Sequence, residues 1–166
     1  IIQGELGVKY SKNSFSGTAA LYSVGLKDRR SISFVNAPGG GFAEEVDTQD
    51  TSTFGFAGTW NWEFANNFNF SGSLTYQDHE ISRSNVDSEL EGNELRRQTS
   101  VLTTLAIDYD DSKCDGGIVY NYTGKKFAND ANTIELDAIG LASLNLGYTL
   151  SLSKDHETLR LGAQVF

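Results

Sequence analysis

The stretch FNFSGSLTY, from Phe68 to Tyr76, alternates without a break. Phe68, Phe70, Gly72, Leu74 and Tyr76 share one parity, and Asn69, Ser71, Ser73 and Thr75 share the other. Successive side chains of a β-strand point to opposite faces, so a period of two predicts a strand with one apolar and one polar face. The pattern recurs. Phe54, Phe56, Gly58, Trp60 and Trp62 oppose Gly55, Ala57, Thr59 and Asn61. Leu144, Leu146, Tyr148, Leu150 and Leu152 oppose Asn145, Gly147, Thr149 and Ser151. Leu159, Leu161, Ala163 and Val165 oppose Arg160, Gly162 and Gln164. The apolar faces must meet either a protein core or lipid, and the polar faces either solvent or a wet lumen.

Eight segments read as strands: Ile2–Tyr10, Ser14–Lys27, Thr51–Phe64, Phe68–Ser82, Gln98–Tyr109, Lys113–Tyr122, Leu136–Leu152 and Glu157–Phe166. The connections between them alternate in length. Ser11–Asn13, Ala65–Asn67, Asp110–Ser112 and Ser153–His156 are short. Asp28–Asp50, Arg83–Arg97 and Thr123–Glu135 are long. In an up-and-down sheet this puts tight turns at one end and long loops at the other, as in outer-membrane barrels with periplasmic turns and extracellular loops. Strand length agrees: a tilted membrane strand needs about 9–11 residues, against about 5–6 in soluble proteins. The single proline, Pro38, leaves the strands free of a residue that would remove a ladder donor.

Aromatic placement is a third indication. Tyr10 and Phe15 flank the first short turn, Trp60, Trp62, Phe64 and Phe68 the second, and Tyr109 the third. Tyr22, Tyr76, Tyr120 and Tyr122 lie toward the long-loop ends, and Tyr148 falls on an apolar face. Two interfacial bands are expected, with Trp60, Trp62, Phe64, Phe68, Tyr76, Tyr109, Tyr120 and Tyr148 as the membrane-interface girdle. From Phe68 to Tyr76 the chain rises about 3.3 Å per residue, which tilt reduces to roughly 20 Å of depth, close to the apolar band of such barrels. The fold class expected is all-β, an antiparallel up-and-down transmembrane β-barrel with about eight strands here.

Composition closes other routes. No apolar run approaches the ~20 residues of a transmembrane helix. The net charge of −9 gives no basic groove for nucleic acid. Cys114 is the only cysteine, so no internal disulfide can form. The acidic run DYDDSKCD, with Asp108, Asp110, Asp111 and Asp115, lacks the glycine and terminal glutamate of a calcium loop and reads as a solvated turn. Asp78, His79 and Glu80 alternate faces, cannot converge on a metal, and read as an exposed strand end. The glycine-rich APGGG, Ala37–Gly41, lacks the Gly-Lys-Ser/Thr ending of a phosphate loop and reads as a mobile loop. His79 and His156 fall at different ends of the sheet, and no nucleophilic set assembles. An enzyme is not expected, nor a metal or cofactor.

Several stretches carry a family resemblance. ELGVKYSKNSFSGTAALYSVGLKDRRSISF, Glu5–Phe34, resembles a late-barrel hairpin of TonB-dependent outer-membrane receptors, with an E-x-G-x-K strand and a Lys27-Asp28 pair. TSTFGFAGTWNWEF resembles the strand that follows. ELEGNELRRQ, Glu89–Gln98, resembles the family's G-N-x-L-P loop, with arginine in place of the common proline. YNYTGKKFANDANTIELDAIGLASLNLGYTL, Tyr120–Leu150, has the Y-x-G turn, a small polar loop with Asn129, Asp130 and Asn132, and a long strand ending in G-Y. LRLGAQVF, Leu159–Phe166, resembles a penultimate strand. The resemblance spans nearly the whole chain and rests on order and spacing rather than on one motif.

The resemblance implies that residues 1–166 are the C-terminal part of a receptor barrel of about 22 strands, without its plug domain and final strand. It implies the outer membrane of a Gram-negative bacterium. It also implies active uptake of a scarce nutrient (a ferric siderophore, cobalamin or a carbohydrate), energised by the partner TonB through a plug absent from this chain. Membrane lipid and lipopolysaccharide are the other expected partners. In the long loops Arg29, Arg30, Arg96, Arg97, Lys125 and Lys126 could bind an anionic ligand, and Phe34, Phe42 and Phe127 could stack on it. Ordinary solvated loop charge is the alternative for each. The residues also admit a stand-alone eight-stranded membrane barrel with a structural or adhesive role, and a soluble β-barrel with an apolar interior.

Overall fold

The computed structural model describes residues 1–36, 38–111, 113–151 and 158–166. In chain order the strands are β1 (Ile2–Lys12), β2 (Phe15–Asn36), β3 (Phe42–Ala65), β4 (Phe68–Ser84), β5 (Val101–Asp110) and β6 (Cys114–Thr123). A two-residue ribbon follows, β7 (Lys126–Phe127) and β8 (Glu135–Leu136), and then β9 (Ile139–Ser151) and β10 (Thr158–Val165). All but the ribbon join one antiparallel sheet in the order β1-β2-β3-β4-β5-β6-β9-β10. One 3-10 turn, Ser88–Leu90, is the sole helical element among the described residues. Asn13 and Asn67 take the left-handed backbone (φ 52° and 67°) that lets the first two short turns close on so few residues.

The register carries the sequence alternation coherently across the sheet. Lys12, Phe15, Trp62, Phe70, Ile107, Ile118, Leu144 and Val165 form one cross-strand row on one face. On the other face Lys9, Thr18, Thr59, Ser73, Thr104 and Asn121 form a row. Its hydroxyls bond laterally: Thr18 Oγ1 lies 2.7 Å from Thr59 Oγ1, and Thr104 Oγ1 donates to Asn121 Oδ1 at 2.9 Å. Side chains directly opposite on one face are the unit of sheet stabilisation, so the alternation within each strand extends across the sheet.

Among the described residues nothing covers the apolar face. Leu6 is 78% exposed, Phe54 58% and Ile118 53%. Among the described residues the only buried apolar side chains are Ile81 and Leu95. This excludes the soluble barrel with an apolar interior. The eight described strands do not close on themselves: among them β1 pairs only with β2, and β10 only with β9.

Aromatic rings form a connected band at the short-turn end. Trp62 and Phe64 centroids lie 5.7 Å apart, Phe64 and Phe68 5.8 Å, and Phe68 and Tyr109 4.7 Å. Tyr10 and Phe15 lie alongside at 6.1 Å. Tyr148, opposite Cys114 and Leu161, also lies near this end. Tyr76 and Tyr120 stand nearer the long loops. The Trp60 ring lies over Gly72, where a Cβ would collide with it and with the Thr104 carbonyl. Such covering of a strand glycine by a neighbouring ring is a known device for pinning register. Tyr22 departs from the expected band. It is on the polar face, over Gly55, and its hydroxyl donates to Gln77 Oε1 at 3.1 Å.

The largest difference from the sequence reading lies between Asp28 and Asp50. That segment is mostly strand, with β2 running to Asn36 and β3 starting at Phe42. Gly39, Gly40 and Gly41 all have positive φ at the hairpin tip, and Ala37 lies outside the described residues. The last long connection holds the β7–β8 ribbon, so β9 starts at Ile139 rather than Leu136. The short turn Ser153–His156 lies outside the described residues.

Candidate functional site

Two bulges at the same height mark where the wall ends and the loop region begins. The β2–β3 register shifts between Leu26 and Arg29, and the β3–β4 register shifts between Asp50 and Thr51. Asp28 absorbs the first shift with φ 57°, its N–H donating to Asp50 Oδ1 at 3.0 Å. A bulge re-aims the side chains beyond it. Beyond these, Arg29 pairs with Gln49 and Ser31 with Asp47 in the row that continues the polar face. Arg30, opposite Thr48, and Arg83, opposite Asp50, continue the apolar face instead.

Three connections converge on this inner row. Asp47, buried, accepts from Ser84 Oγ (2.7 Å) and Gln49 Nε2 (2.9 Å) on one oxygen, and from the Asn85 and Val86 N–H groups (3.2 and 3.1 Å) on the other. Burial pushes this carboxyl upward, but the hydrogen bonds outweigh it and hold it below the usual carboxylate range. Asp47 thus ties the β2–β3 hairpin to the start of the β4–β5 connection.

Asp130, from the β6–β9 connection, ties in the third. Its Oδ2 accepts from Ser31 Oγ at 2.6 Å and from Gln49 Nε2 at 3.5 Å, and its Oδ1 lies 3.7 Å from Arg96 Nε. Arg96 Nη1 donates to the Ile32 carbonyl at 2.9 Å. Asn93 Nδ2 donates to the Asp130 carbonyl at 3.0 Å. Asn132 brackets Glu94 by accepting from its N–H at 2.7 Å and donating to its carbonyl at 2.9 Å.

The loop return also folds over the wall. Ile81 N–H donates to the Asn93 carbonyl, Gly92 N–H to the Ile81 carbonyl, and Leu95 N–H to His79 Nδ1 at 3.3 Å. His79 is fully buried, which corrects its reading as an exposed strand end. The burial comes from residues 92–95 lying over it, a non-local event.

The candidate ligand residues therefore separate. Arg96 is held by Ile32 and Asp130, and Lys125 Nζ pairs with Glu135 at 2.7 Å. Arg30 is on the outward face. Arg29 is half-buried on the inner row, next to Gln49. Arg97 is exposed, with φ 62°, its backbone N–H bonded to the Phe127 carbonyl at 2.7 Å, which brings Arg97 and Phe127 together. Phe34 and Phe42 are exposed near the hairpin tip. Residues holding the platform together, chiefly Asp47, Ser31, Gln49 and Ser84, had no place among the sequence candidates. Their one local signal is polar residues, Asp47 and Gln49, continuing a strand's inward parity.

The family described as TonB dependent receptor-like, beta-barrel matches residues 2–165. The chain belongs to this family. Solved structures agree on the fold. Ferric citrate transporter FecA, in its unliganded form, aligns over 96% of this chain and 25% of its own, with TM-score 0.75 and 16% identity. BauA, the ferric preacinetobactin receptor from Acinetobacter baumannii, aligns over 98% of this chain and 24% of its own, with TM-score 0.72 and 15% identity. The copper transporter OprC gives 96%, 25%, 0.73 and 16%. The TonB-dependent receptor segment described here thus spans about a quarter of the length of these structures. Sequence comparison with curated proteins gives no match. The family is one of Gram-negative outer membranes. The family's members are receptors and transporters, not enzymes.

Proposed function

We propose that this segment is the late barrel wall and part of the external ligand platform of an outer-membrane transporter energised by TonB. The observation that carries the reading is the pairing, among the described residues, of an uncovered apolar face with a polar inner face roofed at the long-loop end by three interlocked connections. The plug through which TonB would act, and the remaining strands of a barrel of about 22, lie outside this chain. In this reading the platform binds a scarce nutrient, the plug is remodelled with energy from the inner-membrane proton gradient, and the wall is a rigid wet tube.

The ligand proposed is a ferric siderophore, with cobalamin or a carbohydrate as the other family classes. Arg97, with Phe127 beside it, and Arg29 on the inner row are the proposed contacts: a guanidinium for carboxylate or phenolate oxygens and a ring for stacking. Arg96 and Lys125 act through the platform by holding its loops. Arg30, with Arg83, is proposed to meet lipopolysaccharide phosphate instead, because both lie on the outward face above the apolar band.

The test is uptake of an iron-loaded siderophore panel by cells expressing the intact protein, with and without TonB. TonB-dependent uptake lost on Arg97→Ala with the barrel still assembled supports the reading. Uptake indifferent to TonB, or passive leakage alone, contradicts it.

A further inference from the structure

On the apolar face of the eight strands, from the short turns up to the level of Tyr76, Lys12 is the one charged side chain among the described residues. It is exposed and lies opposite Phe15 at the turn end of β1. From there a furrow runs along β2. Its floor is small: Gly17 and Ala19, with Gly58 opposite Ala19. Tyr10, Val8 and Leu6 wall it on the β1 side, and Phe56 and Trp60 on the β3 side. Two adjoining hollows of about 440 and 520 Å³ make it up, both bordered by Val8, Ala19 and Phe56.

We infer that this furrow seats one glycerophospholipid, an acyl chain lying along Gly17 and Ala19 and the phosphodiester on the Lys12 ammonium. The inference rests on the outer-membrane reading above. The geometry has a direction: an apolar trough with a cation at one end only, the end of the short turns and of the aromatic band. In outer-membrane barrels that end is periplasmic, at the headgroup level. A lysine at this depth can lay its stem along apolar surface and present its charge to the interface. The Tyr10 and Phe15 rings, 6.1 Å apart, flank the entrance. Small floor residues admit a chain where bulky ones would fill the space.

The test is native mass spectrometry of the intact, detergent-purified protein with phosphatidylglycerol, and with diacylglycerol as a phosphate-free control. The wild type should retain phosphatidylglycerol in preference to diacylglycerol. Lys12→Gln should weaken retention about fivefold, the usual worth of one cation at an anionic interface. Ala19→Leu, a lipid-facing change that fills the furrow, should weaken it without altering heat-modifiable mobility. Equal retention of the two lipids, or retention unchanged in both variants, overturns the lipid seat. So does self-association abolished by Ala19→Leu, which would make a second copy the occupant. Failure to recover the wild type from the outer-membrane fraction would instead sink the reading on which the inference depends.

Discussion

Arg160 on β10 and Asp115 on β6 pair across the whole width of β9. The guanidinium Nε lies 3.2 Å from Asp115 Oδ1, and Nη2 reaches the other carboxylate oxygen. The intervening residue makes this possible. Gly147 stands opposite both Asp115 and Gly162, and a Cβ there would strike the Asp115 carboxylate. A bare position on the polar face thus lets charges two strands apart meet. We expect Gly147→Val to separate the pair, and Arg160→Ala to leave barrel assembly intact, since an exposed ion pair contributes little. Heat-modifiable mobility of the two variants in the intact protein checks this; stronger disruption by Arg160→Ala than by Gly147→Val would contradict it.

Gly72 has the matching role on the apolar face, beneath the Trp60 ring. Gly72→Val forces that ring and the Thr104 carbonyl aside, at a cost of about 1–3 kcal/mol, as overpacking does. Trp60→Ala in the same chain should recover only part of this, because the Thr104 carbonyl contact remains. Urea unfolding of the intact protein in lipid vesicles measures both.

Asp130 is the point where the three long connections meet. Asp130→Ala leaves Ser31, Gln49 and Arg96 without their shared acceptor, and stranding buried polar groups costs about 1–3 kcal/mol. The loss falls on the platform rather than the wall. We expect faster protease nicking within residues 85–100 and 124–138 with barrel mobility unchanged. Nicking at the wild-type rate would show that the connections do not hold one another.

Asp47 gives the platform a pH dependence whose sign is fixed. Its folded-state carboxyl titrates below the ordinary value, so the unfolded state binds the proton first as pH falls. The stabilisation is complete above the ordinary carboxylate pKa of about 3.9 and is lost as pH falls through the lower, folded value. Asp47→Asn should remove this contribution and weaken the platform by about 1 kcal/mol at neutral pH, since one acceptor becomes a donor facing the Gln49 amide. Proteolysis with an acid-active protease from pH 6 down to about pH 3 checks it.

The wall was legible because a sheet with one apolar and one polar face writes a period of two into every strand. Phe54 through Trp62 and Phe68 through Tyr76 fall on the face that their parity requires. Tyr22, expected toward the long-loop end, is on the polar face, because Leu21 on the neighbouring parity occupies the apolar one. Beyond the two bulges the faces no longer differ in polarity, and the period disappears. DRRSISF and EEVDTQD therefore read as loop although both lie in long strands. His79, Asp47 and Asp130 were not legible as partners in one platform. Their burial and bonding come from segments tens of residues away.

The central claim is that one face of this sheet meets lipid and the other meets water. We would place single spin-labelled cysteines at successive positions from Phe68 to Tyr76 in the intact protein, with Cys114 replaced by serine. Accessibility to oxygen, which partitions into lipid, would then be compared with accessibility to a water-soluble nickel chelate. The account expects oxygen-accessible labels at 70, 72 and 74 and chelate-accessible labels at 71, 73 and 75. Labels that show no alternation, or the opposite one, would contradict it.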